Sequence, residues 1–191
     1  MTAQPVSDAP VVPARQASRL VELNDCLSLD NLPGRDLTPD ELAELAGGLA
    51  AQPHLWEDKV AYSDEERVFA SLHRDANVDV WLICWTSVND TGWHDHDVSA
   101  GAVAVVQGCV IEERLRLGGD PWQRLAGAGE AFDFRPEDIH RVRHGGGAPA
   151  VTIHVYSPPL RRQGSYAIAP DGTLRRVSLS ETEELRPRAT A

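Results

Sequence analysis

The chain has 191 residues, 42% of them hydrophobic, enough for one sizeable core and, by the usual span per domain, for a single domain. Its 18 basic residues face 29 acidic ones, a formal net charge of −11 with no dense Lys/Arg run, which argues against nucleic acid and anionic membrane surfaces as partners. There is no apolar stretch of about 18 residues and no signal-peptide pattern, so the expected location is cytoplasmic, and three cysteines without CxxC spacing (Cys26, Cys84, Cys109) suggest neither a disulfide framework nor a cysteine zinc site.

In chain order, residues 1–15 are rich in proline and alanine and predict a disordered tail. Residues 16–60 predict a helical segment packed on the β-rich remainder of the chain. Leu20, Leu23 and Leu27 recur at helical spacing over residues 16–29. A second helix is marked by Thr38 as N-cap, Pro39 in the first helical position, Glu41 three residues after the cap, and Leu42, Leu45 and Leu49 on one stripe. After Tyr62 the period changes. "VDVWLICW" (78–85), "AVAVVQGCVIEERLRL" (102–117), "EAFDFRP" (130–136), "RVRH" (141–144) and "AVTIHVYS" (150–157) are short β-type runs separated by Gly-rich turns. Such spacing predicts an all-β dominated sandwich or barrel over residues 61–175, with a last strand pair after 165 and a charged tail over 176–191. Cys84 and Cys109 sit in apolar runs and are expected to be small buried side chains.

The histidines carry the chemistry. Extended backbone turns successive side chains to opposite faces, so His94 and His96 share a face and can converge on one ion while Asp95 points away. His140 opens another short strand. Two same-face histidines and a distant third suit a metal that keeps open positions for substrate and oxygen. On one face of "TIHVY" stand Thr152, His154 and Tyr156, which by themselves read as a polar, buried and satisfied strand face. His54, His73 and His144, each alone, read as surface or hydrogen-bonded residues.

The spacing "HDHDVSAGAVAVVQG" (94–108) resembles the cupin signature, in which HxH is followed after four residues by a glutamate and after six more by a glycine; Gly101 takes the glutamate position here. Gly129, Pro136 and His140 resemble the second cupin motif, with the proline one place late. The words "LICW", "HDH", "IHRV" and "TIHVYSPPL" are similar, in order and spacing, to those of cysteine dioxygenase over roughly residues 60–165.

That resemblance implies a cupin jelly-roll, or double-stranded β-helix, barrel with N-terminal α-helices. It implies Fe(II), with Ni(II) as the alternative, held by His94, His96 and His140. Thr152, His154 and Tyr156 then stand where the family has a Ser-His-Tyr relay, the tyrosine hydroxyl beside bound substrate and oxygen. The substrate would be a small thiol such as L-cysteine, O2 the co-substrate and a sulfinate the product. Three neutral imidazoles leave the full charge of the metal available to a thiolate. No Cys-Tyr cross-link is expected, since Gly101 occupies the place of the cross-linked cysteine of some animal members.

Aligned on "VDVWLICW", the family's carboxylate-binding arginine falls on Phe69 and the neighbouring tyrosine on Arg67. Arg67 is therefore the candidate for the substrate carboxylate, with Arg74 and the Arg161/Arg162 pair as alternatives, and Thr152 is the second candidate for contact with substrate. This departure leaves a rival open, the same site with another metal such as nickel or with thiol oxidation coupled to carbon–carbon cleavage; a second rival is a non-catalytic cupin that binds metal or a ligand. Oligomeric state is not legible in the sequence.

Overall fold

A computed structural model describes residues 27–180, and within them the chain is strand-dominated. One α-helix, α1 (Pro39–Ala50), and two short 3₁₀ turns precede eleven strands: β1 (Phe69–Arg74), β2 (Asp79–Trp85), β3 (Trp93–Asp95), β4 (Ala100–Gln107), β5 (Cys109–Arg114), β6 (Trp122–Gly127), β7 (Ala131–Phe134), β8 (His140–His144), β9 (Ala150–Ser157), β10 (Arg162–Ile168) and β11 (Leu174–Ser180). All pairings are antiparallel. One sheet runs β1-β2-β9-β4-β7 and the other β11-β10-β3-β8-β5-β6, the two walls of a cupin jelly roll.

The N-terminus of α1 follows the sequence signals. The Thr38 hydroxyl accepts from the Glu41 backbone N–H, and the Glu41 carboxylate accepts in return from the Thr38 N–H at 2.8 Å, a complete capping box. Leu42, Leu45 and Leu49 bury their stripe against the outer face of the five-stranded sheet, over β4, β9 and β7, in one apolar cluster with Val80, Leu82, Ala104, Ile153 and Val155. Each such leucine stabilises the fold by roughly 1.5–3 kcal/mol.

Period-two alternation then separates two faces. On β9, Val151, Ile153 and Val155 go to the helix-covered core, and Thr152, His154 and Tyr156 go inside the barrel. On β2, Val80, Leu82 and Cys84 join the same outer cluster as the helix leucines, while Ile83 and Trp85 face inward. The inner face is thus where the polar residues of β9 meet those of the opposite sheet.

Several expectations need correction. The helix predicted over residues 16–29 lies mostly outside the described residues, and Leu27–Leu29, which are described, are not helical; the described residues hold one α-helix where several were expected. The run 102–117 is two strands that belong to different sheets, because the chain crosses at Gly108. β1 and β6 were not foreseen as strands. Residues 176–180, assigned to the charged tail, complete β11. Cys109 is only half-buried and its thiol points to the Gly146 carbonyl at 3.5 Å. The predicted tail over 1–15 and residues 181–191 lie outside the described residues. No helix among the described residues is long and apolar enough to cross a membrane.

Candidate metal centre

β3 supplies His94 and its following residue supplies His96, while β8 begins with His140, which pairs directly opposite His94. Their three candidate donor nitrogens lie within 4.8 Å of one another. The rings are 4%, 1% and 1% exposed, so an ion among them would be shielded from bulk water on the protein side.

Each ring is held. His94 donates Nδ1–H to the Gly92 carbonyl at 2.9 Å, which leaves Nε2 as its deprotonated nitrogen. His140 Nδ1 meets Glu112 Oε1 at 3.1 Å, so its Nε2 is again the nitrogen with a lone pair. That His140 Nε2, and Nδ1 of His96, are buried ring nitrogens without a hydrogen-bond partner. A buried polar atom left so is costly, and a metal ion is the ligand that satisfies several such nitrogens at once. Burial first, then the neighbouring imidazoles, pushes the pKa of His96 and His140 well below the ordinary histidine value, so both rings are neutral as metal ligation requires. The residues therefore fit a mononuclear metal bound through three imidazoles.

Glu112 was not picked out from the sequence. It lies fully buried on β5, its Oε1 shared by His140 and Arg114 Nε (3.0 Å) and its Oε2 taken by Arg124 Nε (2.8 Å). Its signal was present in the pattern: Val110 and Glu112 share the inward face of an alternating strand, where a carboxylate needs partners. Phe134 was also missed. Its ring stacks on His96 at 4.2 Å and lies 4.7 Å from that of His140. A Cβ built on Gly101 would fall 2.3 Å from this ring, so Phe134 fills the space beside the glycine that replaces the usual cupin carboxylate.

The inner face of β9 forms a hydrogen-bonded chain. Trp85 Nε1–H donates to Thr152 Oγ1 at 2.8 Å, Thr152 Oγ1 meets His154 Nε2 at 2.8 Å, and His154 Nδ1 meets the Tyr156 hydroxyl at 3.2 Å. The alternative acceptor for the threonine proton, the Ile83 carbonyl, is at 3.5 Å. The shorter contact is the stronger one. Thr152 therefore donates to Nε2, the His154 proton sits on Nδ1 and is donated to the tyrosine oxygen, and the phenolic proton is left to point elsewhere. His154 stays neutral, since burial, then the charge of Arg67, lowers its pKa to about 3.

The cavity over the three histidines is lined by His154 and Tyr156, and also by Arg67, Trp81, Leu160 and Gln163. Arg67, just before β1, is 8% exposed, with its guanidinium carbon 5.5 Å from the Trp85 ring centre. The other arginine candidates are not on this cavity. Arg74 reaches the Leu160 carbonyl at 3.3 Å, and Arg161 and Arg162 are exposed. Phe69 is partly exposed and packs on Trp81 at 5.6 Å. Thr152 is fully buried and bonds to His154 rather than lining the cavity. Of the isolated histidines, His144 is buried and bonded to the Ala148 carbonyl, His73 pairs with Asp75 at 3.3 Å, and His54 is exposed.

No curated protein matches the chain. Among solved structures, a protein of Thermus thermophilus aligns at 18% identity over 53% of this chain and 92% of its own, with a TM-score of 0.48. A Klebsiella pneumoniae protein with a double-stranded β-helix domain aligns at 17% identity over 53% and 80%, TM-score 0.48. A Bacillus halodurans protein aligns at 19% over 62% and 82%, TM-score 0.47. A family model, cysteine dioxygenase type I, matches residues 11–167, most of the chain. With that match and a three-histidine cluster inside a cupin barrel, the chain belongs to the cysteine dioxygenase type I family, metal-dependent dioxygenases among the oxidoreductases.

Proposed function

We propose that this protein is a thiol dioxygenase that converts a small thiol such as L-cysteine to its sulfinate with O2, at a mononuclear iron held by His94, His96 and His140. The observation that carries the reading is the cluster of three buried imidazoles sharing one cavity with Tyr156 and a single arginine, Arg67, among the described residues. A bound Fe(II) would supply a point where thiolate and dioxygen meet and electrons pass between them, so that both oxygen atoms end on sulfur and no other reductant is needed.

The chain's own groups do the rest. Arg67 presents a guanidinium to the cavity, the natural bidentate partner of a substrate carboxylate. The Trp85 ring beneath it fixes its plane. Three uncharged imidazoles add no negative charge to the metal, so an anionic thiolate is favoured there. Tyr156, oriented by His154, donates its hydroxyl proton toward the reacting group as a positioned hydrogen-bond donor. Phe134, Leu160 and Val142 keep the cavity apolar elsewhere and limit water. Gly101 carries no side chain, so Tyr156 works here without a thioether link. A cytoplasmic setting, where small thiols stay reduced, belongs to the same proposal.

The test is metal analysis of the purified protein together with oxygen uptake over a panel of small thiols. The iron-loaded protein is expected to consume one O2 per sulfinate formed, with every substrate carbon retained in the product by mass spectrometry. No uptake with any thiol overturns the reading, and a product short of a carbon favours oxidation coupled to cleavage.

A further inference from the structure

Between the two histidines of the HxH segment, Asp95 points out of the cavity and is gripped from two other strands. Its Oδ1 accepts from the Gly164 N–H (2.8 Å), the Asp97 N–H (3.0 Å) and Arg176 Nη2 (2.9 Å). Its Oδ2 accepts from the Tyr166 hydroxyl (2.5 Å) and Arg176 Nε (2.7 Å). Arg176 stands on β11, with β10 between it and Asp95 on β3. It reaches across because the intervening residue has no side chain: a Cβ on Gly164 would lie 2.1 Å from Arg176 Nε and 2.5 Å from Asp95 Oδ2. Arg176 Nη2 also approaches the Asp97 carboxylate at 3.5 Å, at a non-glycine residue with φ of 56°. β11 lies beyond the residues covered by the family match.

We propose that Arg176, with Tyr166 and Gly164, is a positioning residue for the metal: by clamping Asp95 bidentately it fixes the backbone that carries both His94 and His96, and so sets the spacing of two of the three ligands. An aspartate between two ligands is a lever on both. The bidentate guanidinium restrains its carboxylate in plane as well as in distance, and ligand geometry held within tenths of an ångström is what metal affinity depends on. The C-terminal hairpin is on this account part of the centre, although none of its side chains touches the metal cavity from β11.

The inference rests on the three-histidine site, and the experiment separates the two. Co(II), whose visible absorption reports ligand geometry, is titrated into full-length protein against a competing chelator. Arg176→Met is expected to bind Co(II) about 10- to 100-fold more weakly, with altered visible bands, and Arg176→Lys to recover part of the loss. An Arg176→Met protein that melts lower but keeps the affinity and spectrum of the parent overturns the proposal, since the clamp is then only structural. Should Arg176→Met fail to fold, Tyr166→Phe, which removes one donor to Oδ2, carries the same expectation in smaller degree, and unchanged Co(II) binding there overturns it equally. A parent protein that binds no Co(II), or binds it unchanged in His94→Ala, overturns the metal site itself and with it this inference.

Discussion

At the residue scale the centre separates ligation from proton placement, and each can be removed alone. Tyr156→Phe deletes the hydroxyl that His154 orients and leaves the three imidazoles intact. The variant should bind metal as the parent does while turnover falls by roughly tenfold to a hundredfold, near the lower end for a positioned acid or hydrogen-bond donor. Unchanged oxygen uptake and product would show that the hydrogen-bonded chain on β9 has no part in turnover. Glu112→Gln tests the other side. Losing the carboxylate charge that His140 shares with Arg114 and Arg124 should weaken metal binding by about 10- to 100-fold, read by chelator competition; equal affinity would mean that the arginines, not the histidine, are what Glu112 serves.

At the element scale, strands put the chemistry on one face, and this is why much of the site was legible. Thr152, His154 and Tyr156 share a face by period two alone, and HxH spacing predicted the convergence of His94 and His96. The sequence did not reveal what packs from other strands. Phe134 fills the space beside Gly101, Glu112 holds His140 from β5, and Arg176 reaches Asp95 over a third strand; each depends on register between segments far apart in the chain. The arginine candidates had the same difficulty. Alignment on "VDVWLICW" put Phe69 at the family's arginine position, and among the arginine candidates it is Arg67, buried just before β1, that lines the cavity. The close contact at Gly101 yields a prediction at this scale. Gly101→Ala must displace the Phe134 ring, costing about 1–3 kcal/mol of overpacking strain, and pairing it with Phe134→Leu should recover part of the loss by denaturant unfolding. A Gly101→Ala protein as stable as the parent would mean that the ring moves without cost. On the helix side, Thr38→Ala should cost about 1 kcal/mol through loss of the capping box.

At the scale of the whole molecule, the barrel buries a polar, titratable interior, so stability and metal binding are linked through pH. His96, His140 and His154 are held neutral, chiefly by burial, with the pKa of His154 brought down to about 3. The unfolded chain takes up protons on these rings near a pH of about 6.5, and the folded chain does so only at lower pH. The unfolded state therefore binds more protons throughout that window. Stability falls as the pH drops through it, by up to about 1.4 kcal/mol per pH unit for each ring. Urea unfolding of metal-free protein between about pH 7 and pH 5 checks this, and a flat profile would contradict a neutral cluster. The overall architecture was readable because short alternating runs and Gly-rich turns define a barrel, while the crossing at Gly108 and the strand character of residues 176–180 were not, since nothing local marks a change of sheet. Whether this barrel puts both atoms of O2 on a thiol sulfur is read from turnover of the iron-loaded protein with L-cysteine and related thiols under ¹⁸O₂. The expected product is a sulfinate carrying two labelled oxygens and every substrate carbon. Iron-loaded protein that yields no labelled sulfinate from any thiol would contradict the proposed function.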